Sequence, residues 1–101
     1  MQYPTNLDVL KEYLEAQNLD TKLREHKIYS SMRDVSPIMA RIAGTDQLVV
    51  SSPKGEISVI RGMASFGDYE IYSLKGKLFD DIERFQDVES ISERIKQLLI
   101  E

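Results

Sequence analysis

Apolar residues recur at helical spacing near the N-terminus of the chain. Steps of three and four residues place three leucines on one face of a helix. Thr5 and Asn6, which come directly before this stretch, are residue types that favour a helix N-cap. Asn18 and Leu19 then suit a left-handed helix end with a hydrophobic contact. The pattern predicts a first helix whose apolar face contains Leu7, Leu10 and Leu14.

A second, clearer helical pattern occupies the C-terminus. Asp87 is a favourable N-cap, and Lys96 near the far end suits the negative pole of the helix dipole. The apolar face of this predicted helix contains Val88, Ile91, Ile95, Leu98 and Leu99. Because such a face must be buried, we expect the helix to dock on the largest surface that the rest of the chain offers, a β-sheet.

The middle of the chain has the patterns of β-strands. Residues 47–51 and 56–61 are rich in β-formers, and residues 52–55, Ser-Pro-Lys-Gly, have the composition of a turn, which predicts a β-hairpin. Residues 69–74 alternate with a period of two and predict a third strand. After a turn, residues 78–85 suit one more strand or an extended segment.

Residues 20–46 fit neither period cleanly, and a short strand followed by a loop is the simplest interpretation. Within this stretch, residues 37–43 allow two structures. A Ser-Pro start and Gly44 at the end suit one short helix. Apolar residues at alternate positions suit a strand, and we favour the strand because seven residues make a marginal helix but an ordinary strand.

These elements predict a single α+β domain covering residues 1–101. We expect an antiparallel meander of about four to five strands, with the N- and C-terminal helices packed on one face. The hydrophobic share of 42% is enough for an unaided core at this length. In such an arrangement the other face of the sheet is typically left wet or available for a partner.

Charge and composition limit the partner classes and the cellular location that we expect. The net charge is −4, and residues 80–101 account for it with seven acidic and three basic side chains. An acidic surface is repelled by phosphate groups, so neither nucleic acid nor an anionic membrane is an expected partner. The N-terminus lacks the pattern of a signal peptide, the apolar runs are short, and there is no cysteine. We therefore expect a cytoplasmic protein without thiol chemistry.

Sequence signatures of catalysis are scarce. The chain contains no phosphate-binding glycine loop, nucleophile elbow or paired-histidine motif, and we expect no cofactor and no metal. His26, the single histidine, lies in a polar stretch and is typical of a surface residue. Asp80, Asp81 and Glu83 allow a cation or acid/base site, but they also suit a solvated acidic sheet edge, the interpretation we favour.

The loop between the third and fourth predicted strands holds the candidate binding residues. It combines two glycines with side-chain types that are enriched at protein interfaces. One interpretation is that Phe66 folds inward and caps the core. The other is that the loop binds a partner, and the candidate residues are then Arg61, Ser65, Phe66 and Tyr69.

Several segments resemble small uncharacterised proteins of Gram-positive bacteria and their prophages. The resemblance lies in residues 55–60, Gly-Glu-Ile-Ser-Val-Ile, and in Ser-Phe-Gly at 65–67, Tyr-Glu-Ile at 69–71 and Asp-Asp-Ile-Glu-Arg-Phe at 80–85. It implies a bacterial setting and brings no activity or site residues with it.

The sequence thus favours a non-enzymatic interaction module that binds a protein partner or itself through the open sheet face, a free strand edge or the loop at 61–69. The alternative is a small enzyme or ligand-binding domain that uses carboxylates and His26.

Overall fold

The computed structural model describes residues 4–25, 46–62 and 65–101. Within these ranges, one helix precedes and one follows a run of five strands, which confirms the predicted α+β class. The elements are α1 (Asp8–Glu15), β1 (Asp20–Glu25), β2 (Asp46–Ser52), β3 (Gly55–Arg61), β4 (Tyr69–Lys75), β5 (Glu83–Phe85) and α2 (Val88–Leu99).

The strands form one sheet in the order β1-β2-β3-β4-β5, and each neighbouring pair is antiparallel. The predicted hairpin is confirmed, since Ser52 pairs with Gly55 around a turn at residues 53–54. The last strand is shorter than the predicted extended segment, because β5 pairs only with the first three residues of β4. The sheet is therefore a simple antiparallel meander whose last strand, β5, is the shortest.

The two ends of α1 match the predicted capping differently. The N-cap position is Leu7, which makes no side-chain capping bond, so the prediction of Thr5 or Asn6 as the N-cap is wrong. The side chain of Asn6, one residue before that position, instead accepts a hydrogen bond from the backbone N–H of Asp8 at 2.7 Å. At the other end Asn18 has a φ of 63°, and the N–H of Leu19 donates to the Leu14 carbonyl at 3.2 Å. Leu19 is buried, which completes the hydrophobic contact expected of this cap.

The N-cap of α2, in contrast, is the predicted residue, Asp87. The Asp87 carboxylate accepts a hydrogen bond from the backbone N–H of Ser90 at 2.7 Å. Because this bond stabilises the charged form, it holds the pKa of Asp87 below its ordinary value.

The main core lies between the helices and one face of the sheet. The leucine stripe of α1 and the isoleucines of α2 are almost completely buried against alternate residues of the three central strands. Its members are Leu7, Leu10, Leu14, Leu19, Leu48, Val50, Ile57, Val59, Tyr69, Ile71, Ile91, Ile95 and Leu99. Both helices therefore contribute to one hydrophobic cluster, as their spacing predicts.

The other face of the sheet is not the open surface that the sequence led us to expect. Five of its side chains on β2, β3 and β4 are at most 8% exposed: Gln47, Val49, Ser58, Ile60 and Glu70. Others on the same face, among them Ser51, Glu56 and Tyr72, are half-buried. A row of hydrogen bonds crosses this face from β1 to β4. The expectation that this face is wet or available is therefore wrong at these five positions, where the buried polar groups are paired within the sheet.

Gln47 is the centre of that row. Arg24 Nε donates to its side-chain oxygen at 2.7 Å. Its amide nitrogen donates to the Ser58 hydroxyl at 2.6 Å and to the Tyr72 hydroxyl at 3.1 Å. One buried amide thus joins side chains from four strands and satisfies its own polar atoms.

Some expectations concern residues outside the described ranges. The choice between helix and strand at 37–43 and the environment of His26 fall in residues 26–45, for which the structure gives no description. Within the described ranges, every helix is too short or too polar to cross a membrane.

Candidate functional site

The loop that leads into β4 is organised by the buried side chain of Ser65. Its hydroxyl oxygen accepts a hydrogen bond from the Gly62 N–H at 3.1 Å and lies 2.6 Å from the carbonyl oxygen of Asp68, to which it donates. The N–H of Gly67 donates to the Gly62 carbonyl at 2.8 Å. Ser65, a predicted binding residue, is therefore completely buried and supports the backbone of the loop.

Arg61 connects the same loop to the residues before α1 through hydrogen bonds. Its Nε donates to the Gly67 carbonyl at 2.9 Å, and its Nη1 donates to the Asn6 carbonyl at 3.2 Å. The guanidinium also lies 4.3 Å from the centroid of the Tyr69 ring and contacts the Tyr69 hydroxyl at 3.2 Å. Tyr69 is buried, so Arg61 and Tyr69, both predicted to bind a partner, contact each other within the chain instead.

Phe66 is the predicted site residue that the loop presents to solvent. Its side chain is 65% exposed, which overturns the interpretation that it folds inward to cap the core. Its φ is +55°, a left-handed conformation that bulky residues rarely adopt. Backbone strain of this kind persists only where the surroundings impose it, and here the hydrogen bonds around Ser65 do so.

Arg84 and Ile82 complete an exposed surface with Phe66, which we call the Phe66 patch. The Arg84 guanidinium lies 5.6 Å from the centroid of the Phe66 ring, and its Nε donates to the Glu70 carboxylate at 2.9 Å. Ile82 is 58% exposed and lies two positions before Arg84, so alternation along an extended chain puts both on one side. Sequence reasoning missed both residues.

An open groove lies on the other side of β5, between this strand and α2. It has a volume of about 600 Å³ and is lined by Phe85, Glu89, Ser90, Glu93, Arg94 and Gln97. The Glu83 carboxylate binds Arg94 through two hydrogen bonds of 2.9 and 3.0 Å and thereby ties β5 to α2. The same pairing raises the pKa of Arg94 above its ordinary value.

The carboxylates that sequence analysis singled out do not converge. Glu83 is engaged with Arg94, and Asp80 and Asp81 are exposed. In the part of the chain that the structure describes, three or more histidine, cysteine or carboxylate side chains nowhere come together as a possible metal site.

No protein-family model matches this chain, and neither a curated protein nor a solved structure matches it.

Removing the Ser65 hydroxyl tests the organisation of the loop. Ser65→Ala leaves the Gly62 N–H without its side-chain acceptor, and we expect a loss of about 1–3 kcal/mol in the free energy of unfolding. Urea denaturation measures the loss, with Ser51→Ala, a half-buried serine of β2 outside the loop, as the control. Equal stability of the two variants would show that the hydroxyl does not hold the loop together.

Proposed function

We propose that this protein is a non-enzymatic interaction module of a bacterial cytoplasm, which binds another protein through the Phe66 patch. The observation that carries the proposal is the exposure of Phe66 in a left-handed conformation imposed by a hydrogen-bonded loop. Strained residues of this kind cluster at functional sites, and exposed aromatic side chains are typical anchors of protein interfaces. The bacterial setting rests on the sequence resemblance described above.

The charges around the patch favour a partner with basic side chains. Arg84 is already paired with Glu70, whereas the neighbouring Asp80 and Asp81 are exposed. Residues 80–101 have a net charge of −4 as a whole. Self-association through this surface would bring like charges together, so we favour a different protein with an apolar contact surrounded by Lys and Arg.

The proposal is tested by capturing partners from cells that express the protein natively, with the wild-type chain and with Phe66→Ala as baits. A protein that binds the wild type specifically is then purified, and its dissociation constant is measured by calorimetry. We expect Phe66→Ala to weaken binding by about thirtyfold, since removing an interface anchor typically costs about 2 kcal/mol. Urea denaturation of Phe66→Ala verifies that the variant remains folded.

Val9→Ala is the matched control, because Val9 is an exposed apolar residue of α1 on a different element. It is expected to bind like the wild type. Tyr69 is unsuitable for this purpose, since it is buried and its substitution would disturb the fold. Equal affinities of the wild type and Phe66→Ala would refute the patch as the contact. Light scattering of the pure protein examines self-association, and a dimer lost in Phe66→Ala would contradict the choice of a different protein as partner.

A further inference from the structure

We propose that the partner adds an extended segment to the outer edge of β5, with alternating apolar and basic side chains. This inference rests on the proposed function and specifies how the partner is recognised. It follows from three features around this strand. They are its outer edge, the difference between its two sides, and the charge of the groove beside α2.

The first feature is the edge itself. Among the described strands, β5 is last in the sheet and pairs only with β4, so alternate backbone N–H and C=O groups point outward. The charged side chains of β5 do not protect this edge, because Glu83 is bound to Arg94 and Arg84 to Glu70. The opposite outer strand, β1, differs in presenting exposed charged side chains along most of its length.

The second feature is the difference between the two sides of β5. One side carries the Phe66 patch, in which Phe66 and Ile82 are exposed apolar side chains and Arg84 is paired with Glu70. On the other side, Glu89 and Glu93 line the groove together with the ring of Phe85. Side chains of an added strand project alternately to the two sides of a sheet. A bound segment would therefore place every second side chain against the Phe66 patch, where apolar side chains fit beside Phe66 and Ile82, and the intervening ones in the acidic groove.

The third feature is the charge of the groove. Glu89 and Glu93 make no ion pair with any residue in the described ranges, whereas Arg94 is neutralised by Glu83. Charge complementarity therefore calls for Lys or Arg at the positions that face the groove, and the Phe85 ring can contact such a cation. The occupant is thus an extended cationic segment of another protein.

The first experiment uses a phage-displayed library of random 12-residue peptides, selected against the whole protein. We expect enriched peptides with apolar residues alternating with Lys or Arg. In ¹⁵N NMR titrations with a synthetic copy, the amides of residues 82–86 are expected to shift most. Failure to enrich any peptide, an enriched acidic pattern, or shifts centred elsewhere would overturn the proposal.

Backbone pairing is tested on the peptide, so the protein stays unchanged. Two modified copies of the synthetic peptide are made. One carries backbone N-methyl groups at the odd positions of the segment that binds, and the other carries them at the even positions. Only alternate N–H groups of an added strand face β5, so we expect one copy to lose affinity by about tenfold or more and the other to bind normally. Equal affinities of the two copies would exclude strand addition.

The acidic groove is tested by the double substitution Glu89→Lys and Glu93→Lys. We expect at least about a tenfold loss of peptide affinity, with a weaker dependence on salt. The double substitution Glu12→Lys and Glu101→Lys changes the net charge equally at exposed positions on α1 and the C-terminus, and it should have little effect. Equal losses in both variants would show that only net charge matters.

The outcomes separate this inference from the proposed function. If capture of a native partner depends on Phe66 but the N-methylated copies bind equally, strand addition is wrong and the interaction module stands. If no native partner depends on Phe66, the proposed function itself fails.

Discussion

Ile95→Asp is expected to leave the protein largely unfolded. Ile95 is completely buried in the cluster that joins α2 to the sheet, so the substitution places a carboxylate among aliphatic side chains. The variant loses the transfer free energy of the isoleucine and either buries an unpaired charge or protonates it. We expect a loss of more than about 4 kcal/mol, a large part of the total stability of a domain of this size.

Circular dichroism and urea denaturation measure this loss directly. Gln97→Asp is the control, since Gln97 lies in the same helix and is exposed, and the same residue type is introduced there. The control is expected to stay within about 1 kcal/mol of the wild type. A cooperative unfolding transition of Ile95→Asp at wild-type urea concentration would contradict the position of α2 in the core.

Gly55→Ala is expected to cause the second largest loss, at a position that makes no side-chain contact of its own. A Cβ atom on Gly55 would lie 2.3 Å from the carbonyl oxygen of Lys75, far inside van der Waals contact. Lys75 belongs to the adjacent strand β4, so relief of the clash requires the backbones of two paired strands to separate. We expect a loss of about 3 kcal/mol in the free energy of unfolding.

The measurement is again urea denaturation, and Lys54→Ala provides the comparison. Lys54 precedes Gly55 in the same turn but is exposed, and its substitution should change stability by less than about 0.5 kcal/mol. Similar midpoints for the two variants would mean that β3 and β4 are farther apart near the turn than the structure indicates.

The elements that depend on neighbouring residues could be predicted from the sequence. The hairpin follows from a turn of Pro53 and Gly55 between two apolar runs, and α2 follows from its spacing and from Asp87 as its cap. Local hydrogen bonds and side-chain periodicity act over a few residues, so their effect is visible in the sequence. The short length of β5 was not predicted, because it depends on pairing with β4.

The candidate site was predicted only in outline. The loop was identified from its composition, but the four candidate residues proved to have different roles. Ser65 and Tyr69 are buried and Arg61 holds the backbone, while Phe66 faces solvent. These roles depend on contacts with α1 and with the backbone of Asp68, which residue types alone do not reveal.

The sequence by itself determined the α+β class, the two amphipathic helices and the central hairpin, because each of these arises from interactions between residues close in the chain. Only the tertiary structure decided which side chains face solvent. It buries the centre of the second sheet face around Gln47, and it places Arg84 beside Phe66. Exposure depends on which distant segments pack together, and that arrangement is a property of the folded chain as a whole.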